Sequence, residues 1–120
     1  MAIKVVKFGG TSLADANQFK QVASIIKADE ARKFVVASAP GKRSKDDIKV
    51  TDMLYQCYNM IKNNEDITDI FNKISERYIG IINDLGLDFD ITGELEYTHS
   101  QLCNGRRLYR ALRLHRCIRS

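Results

Sequence analysis

Apolar positions fall in short continuous runs near the start of this chain and in long periodic stripes after residue 50. Ile3 to Phe8 is rich in Val and Ile, which predicts a first buried strand. From about Leu13 to Ala28, Phe19, Val22, Ala23 and Ile26 recur at helical spacing, with Lys20 and Lys27 on the other side. Lys33-Phe34-Val35-Val36-Ala37-Ser38 is short and continuous, the pattern of a strand buried on both faces. Strand, helix and strand in this order predict a right-handed βαβ unit with parallel strands. Ligands on such sheets bind beyond the strand C-termini, so Gly9-Gly10 and Ser38-Ala39-Pro40-Gly41 are expected to face one site.

Val50, Met53, Leu54, Cys57, Tyr58 and Ile61 then predict a helix with Thr51 in its first turn, ended by Asn63-Asn64-Glu65-Asp66. A second stripe runs through Ile67, Ile70, Phe71, Ile74, Tyr78, Ile81, Ile82 and Leu85, with Gly86 at the position just past the helix end. Tyr55, Tyr58 and Tyr78 read as packing residues. Asp88, Asp90 and Glu94 fit no calcium-loop spacing, and carboxylates near helix starts serve as caps, so no metal site is predicted.

Composition adds further constraints. One hundred and twenty residues with 44% apolar content suffice for one small domain and its core. No apolar run reaches the ~18 residues of a membrane span. A strand beginning at Ile3 leaves no room for a signal peptide. Cys57, Cys103 and Cys117 form no even-numbered framework, and Cys57 lies on an apolar stripe, so a reduced, cytoplasmic setting is expected. The net charge of +4 is unevenly spread. Residues 1–97 hold thirteen Lys and Arg against fifteen Asp and Glu, whereas residues 98–120 hold six Arg and no acid.

Candidate chemistry sits in two stretches. In Lys4-Val5-Val6-Lys7-Phe8-Gly9-Gly10-Thr11-Ser12 a strand runs into two glycines and two hydroxyl residues. Gly9 and Gly10 can adopt backbone conformations closed to other residues and admit a ligand close to the main chain. Thr11 or Ser12 is expected to cap the following helix, whose free N–H groups and dipole favour an anion, and Lys7 adds a cation. Together these describe a phosphate cradle, although the lysine precedes the glycines, unlike the Walker pattern. In the second stretch Ala39-Pro40-Gly41 is a turn, followed by the basic loop residues Lys42, Arg43 and Lys45. A solvated loop accounts for such a charge run as well.

Lys7-Phe8-Gly9-Gly10-Thr11-Ser12 closely resembles the N-terminal signature of aspartokinases, members of the amino-acid kinase fold. Val35 to Arg43, followed by Lys49-Val50-Thr51-Asp52-Met53-Leu54, resembles the same enzymes in the same order, so the likeness covers residues 1–97. It implies an α/β fold, here an incomplete three-layer α/β/α sandwich with a mainly parallel sheet. Half of such a sheet is expected to leave an unpaired edge and an exposed apolar face. The implied activity is ATP-dependent phosphorylation of the side-chain carboxylate of L-aspartate, which opens lysine, threonine and methionine biosynthesis. By that resemblance Lys7 is catalytic, and Lys7, Phe8, Gly9, Gly10, Thr11 and Ser12 bind the ATP phosphates. Ser38 and Thr51 hold the amino acid, and Mg²⁺ is carried by the nucleotide. The implied partners are ATP and L-aspartate, with no membrane, no nucleic acid and a homo-oligomeric parent. The nucleotide-base pocket, a catalytic aspartate and a substrate-binding Ser-Arg-Gly-Glu-type segment come from later sequence, and Glu94 is not that glutamate. This segment is therefore expected to be inactive alone, and a sister kinase of the fold is the alternative within the class.

After Tyr97 the family pattern gives way to an Arg-rich tail. A basic amphipathic helix with Leu108 and Leu112 four apart is one reading, contacting nucleic acid, anionic lipid or a protein. As a non-catalytic phosphate- or nucleic-acid-binding module the chain would use that tail as its contact surface. His99 with Cys103 and His115 with Cys117 match no zinc spacing. A shift of reading frame near codon 98 is the reading that best fits a tail without acids.

Overall fold

The computed structural model describes residues 2–104. Strand β1 (Lys4–Phe8) leads through a 3-10 turn (Gly10–Leu13) into helix α1 (Ala16–Lys27), and β2 (Arg32–Ala37) lies parallel to β1. Val6 pairs with Val35 and Phe8 with Ala37, while an irregularity after Lys4 gives β2 the extra residue Lys33. Three helices follow: α2 (Val50–Lys62), α3 (Thr68–Asp84) and α4 (Thr92–Cys103). The βαβ unit and both long stripes are as the sequence predicts. Gly86 takes φ +66° just past α3, a conformation that favours glycine, and Asn64 takes φ +58° in the break after α2.

The core lies among the helices rather than on the sheet. Val50, Met53, Leu54 and Cys57 of α2 meet Phe71, Ile74, Tyr78 and Ile82 of α3, with Leu95 and Leu102 of α4 closing the cluster. Removing each such large side chain from water contributes about 2 kcal/mol. Burial also pushes the Cys57 thiol up to about 11, which leaves it an inert packing group. Asp90 accepts the Thr92 N–H at 2.9 Å at the start of α4, the capping role expected of it.

Two expectations need correction. The β2 strand is not buried on both faces: Phe8, Val35 and Ala37 face Leu13, Phe19, Val22 and Ile26 under α1, but Phe34 is 59% exposed and its partner Val5 69%. Nothing among the described residues covers that second face, so the apolar run reads as doubly buried while only one face is clad. It is the exposed face expected of half a sheet. Helix α1 also begins later than Leu13. Asp15 caps it, its carboxylate accepting the Gln18 N–H at 2.9 Å, so neither Thr11 nor Ser12 does so.

One helix, α4, crosses the change of composition at residue 97, and Thr98 and Leu102 on its far side are buried. The tail helix suggested by Leu108 and Leu112, and the pair His115 and Cys117, lie outside the described residues. Among the described residues no helix is long and apolar enough to cross a membrane.

Candidate functional site

The loops after β1 and β2 meet backbone to backbone. The Gly41 N–H donates to the Gly10 carbonyl at 2.8 Å. A Cβ on Gly10 would stand 3.2 Å from the Ala39 oxygen and from the Gly41 Cα, so tight that the facing backbone would have to give by a few tenths of an ångström. Gly9 is different: it takes φ −75° and ψ 174°, and a Cβ there would meet nothing within 4 Å. The special backbone expected of both glycines is therefore absent, and close approach explains Gly10 alone. The space beside Gly9 is open.

Beside this contact lies a cleft of about 240 Å³, lined by Gly10 and Thr11, by Ser38 to Gly41, and by Lys49 and Thr51. Of the residues singled out in the sequence, Gly10, Thr11, Ser38 and Thr51 come together here. Lys7, Phe8, Gly9 and Ser12 do not line it. Strand alternation sets Phe8 against α1 and Lys7 on the open face of the sheet, where Lys7 pairs in register with Val36. The N–H groups of Gly10 and Thr11 begin the 3-10 turn and have no partner inside it. None of the lining residues is acidic, and Lys49 is a cation. Such a cleft suits an anion. The dipole of α1 does not contribute, because Asp15 already occupies the helix start.

Behind the cleft the basic loop is exposed at Lys42, Arg43 and Lys45, as a solvated charge run is, and Asp47 pins it. Arg43 holds Asp47 through Nε at 2.6 Å and Nη2 at 3.0 Å, and its backbone N–H donates to the same carboxylate at 2.9 Å. Arg77 of α3, only 6% exposed, stands 3.5 Å from that carboxylate. Its guanidinium donates to the carbonyls of Gly41 at 2.7 Å, Ala14 at 3.0 Å and Ile48 at 3.1 Å. Burial and the neighbouring Arg43 charge lower the Arg77 pKa, with Asp47 opposing. The Arg43 hydrogen bonds hold the Asp47 carboxyl well below the usual carboxylate range.

That shift fixes a pH dependence. A carboxyl whose native pKa lies below its unfolded value of about 3.9 gives its full stabilisation above that pH and loses it as pH falls through the native value. Asp47→Asn is expected to cost about 2 kcal/mol at neutral pH and to flatten the acid limb of the stability curve below about pH 4. Urea midpoints of both proteins at about five pH values between neutral and pH 2 check this, and parallel acid limbs would contradict it.

Arg77, Asp47 and Lys49 went unassigned in the sequence reading. The signal for Arg77 is present: it follows Ile74 by three and precedes Ile81 by four, a cation within a buried stripe. For α1 the signal is Asp15-Ala16-Asn17-Gln18, an acid followed three residues later by a glutamine.

Comparison with known proteins is decisive at the level of the family. The model of the amino acid kinase family matches residues 2–107. This chain belongs to that family. The matched stretch reaches past Tyr97 into the Arg-rich tail. Aspartokinase 3 of Bacillus subtilis is 45% identical over 85 residues, which is 71% of this chain and 19% of that protein. A bifunctional aspartokinase/homoserine dehydrogenase 1 of Zea mays chloroplasts is 29% identical over 110 residues, 90% of this chain and 11% of the maize protein. The crystal structure of Clostridium acetobutylicum aspartate kinase superposes with a TM-score of 0.92 at 44% identity, over 98% of this chain and 28% of that one. Escherichia coli aspartokinase III, in complex with aspartate and ADP, shares the fold with a TM-score of 0.70 at 23% identity, over 93% of this chain and 26% of that one. Within the amino acid kinase family the chain is thus an aspartate kinase-like segment, with the α/β fold of that group. It spans about a fifth to a quarter of its closely matching relatives, 19% and 28% in the two bacterial cases.

Proposed function

We propose that this segment forms the phosphoryl- and amino-acid-facing cleft of an enzyme that phosphorylates the side-chain carboxylate of L-aspartate with ATP. The observation that carries the reading is the Gly10–Gly41 contact, which joins the two aspartokinase-like motifs into one cleft. The aspartokinase relatives support it, and so does the cleft's chemistry, with unpaired N–H groups, a lysine and no acid.

ATP, when bound, supplies the phosphoryl group, and Mg²⁺ travels with it, since no carboxylate lines the cleft to hold a metal. Phosphoryl transfer is mainly positioning and charge neutralisation. The Gly10 and Thr11 N–H groups hold phosphate oxygens in the cleft, with the Thr11 hydroxyl as a further donor; Phe8, Gly9 and Ser12, outside the lining, are assigned to the phosphates by the resemblance alone. Lys7, at the end of β1, neutralises charge on the group in transit. Ser38 and Thr51 hold the amino acid with its side-chain carboxylate in line. That carboxylate carries no proton at neutral pH, so these residues have none to remove and no general base is required. The adenine pocket and the remaining charges belong to sequence outside this chain, as does the homo-oligomeric assembly of a full-length parent.

Thermal unfolding with and without Mg-ATP tests the cleft directly. Nucleotide at a hundred times its dissociation constant stabilises by about 2.7 kcal/mol, so the midpoint is expected to rise by roughly 10 °C. An unmoved midpoint with Mg-ATP, L-aspartate and both together would overturn the proposal for this segment.

A further inference from the structure

One buried cation stands behind the candidate cleft and bonds to the three segments that wall it. Gly10 and Thr11, Ser38 to Gly41, and Lys49 with Thr51 line the cleft; of the three carbonyls that Arg77 takes, that of Gly41 is in the lining, while Ala14 and Ile48 lie just outside it on the same segments. Arg77 takes one carbonyl from each: Ala14 and Gly41 on Nη2, Ile48 on Nη1. We propose that Arg77 is the positioning residue of this cleft, setting its affinity for a phosphate group by holding the three walls at one spacing. The inference rests on the reading of the cleft as a phosphoryl site.

The geometry asks for arginine in particular. A guanidinium is a planar fork with donors in fixed directions, whereas a lysine offers one nitrogen on a flexible stem. The three carbonyls are reached from two nitrogens of the fork, Nη1 and Nη2, whereas an ammonium, with three donors on one nitrogen, would have to draw all three oxygens round a single point. The Gly41 carbonyl is the sharpest link, because the same residue's N–H donates to Gly10. A pull on the Gly41 oxygen is therefore transmitted within one residue to the turn that carries the Gly10 and Thr11 N–H groups. Charge adds less: Arg43 and Arg77 both face Asp47 and Asp15, so the four charges balance and the fork's geometry carries the effect. Arg77→Lys separates the two effects, since it keeps the charge and loses the fork.

Pyrophosphate titration followed by backbone amide NMR tests the proposal on the chain as it stands. In the unmodified protein the Gly10, Thr11 and Gly41 signals are expected to move and yield a dissociation constant. Arg77→Gln and Arg77→Lys are each expected to weaken it about tenfold or more. Ile82→Ala, a core change away from the cleft, is expected to leave it unchanged and so controls for lost stability. Wild-type affinity in folded Arg77→Lys or Arg77→Gln would overturn the positioning role, as would an equal loss in Ile82→Ala. If neither Arg77 variant folds, the unmodified chain decides: its Arg77 Nε–H signal is expected to move with that of Gly41, and a silent Arg77 overturns the coupling. If none of the three cleft amides responds in the unmodified protein, it is the phosphoryl reading itself that fails.

Discussion

Gly41→Ala is expected to destabilise the fold by about 3 kcal/mol, lowering the melting midpoint by roughly 12 °C, and to abolish pyrophosphate binding. The added Cβ would stand 2.6 Å from the Gly10 carbonyl carbon, 2.8 Å from its oxygen and 2.9 Å from the Thr11 nitrogen. All three are backbone atoms, so no side chain can swing aside to relieve the overlap. The loops must part, which stretches the Gly41–Gly10 hydrogen bond and draws the Gly41 carbonyl off Arg77. Gly9→Ala is the comparison: nothing lies within 4 Å of its Cβ and its φ of −75° is ordinary, so folding should change by less than about 0.5 kcal/mol. Calorimetry of the two variants checks the contrast. Equal midpoints would mean that the two loops are not in the contact described.

Lys7→Ala, made at the matching position of a full-length aspartokinase relative, is expected to lower kcat by about a hundredfold or more while changing KM for ATP far less. A cation that meets charge as it develops acts on the transition state more than on bound nucleotide. Lys7 lies outside the cleft lining, on the open face of the sheet beside Val36, so the kinetics and not its placement must assign its role. Steady-state kinetics with both substrates varied decides the matter. Unchanged turnover would remove Lys7 from the chemistry, and a loss confined to KM would make it a ground-state anchor.

How legible was this molecule? The helices α2 and α3 were plain, because Val50 to Ile61 and Ile67 to Leu85 bury one stripe each and the period alone identifies such faces. The meeting of the two glycine loops was also legible, since parallel strands carry their C-terminal loops to the same edge. The second sheet face was not. A continuous apolar run shows that a strand can be covered twice, but what covers it is a property of other sequence. Gly41 was legible as part of a turn facing the Gly9-Gly10 loop, but not as the residue whose backbone touches Gly10, because close approach between loops so far apart in sequence leaves no local mark. Arg77 was hidden differently: a lone charge in an apolar stripe looks like a surface residue until its three carbonyl partners are seen, and those partners carry no side-chain signal.

The bare face of the two-stranded sheet gives Lys7 a second duty. Ile3, Val5, Phe34 and Val36 would form an adhesive strip able to recruit strands from other copies of the chain. Lys7 stands at one end of that strip, beside Val36, and a charge next to exposed β-branched and aromatic side chains acts as a gatekeeper against aggregation. The side chain assigned here to phosphate chemistry is thus also the one that keeps the unclad sheet dispersed. Selection on solubility and selection on turnover would then press on the same ammonium.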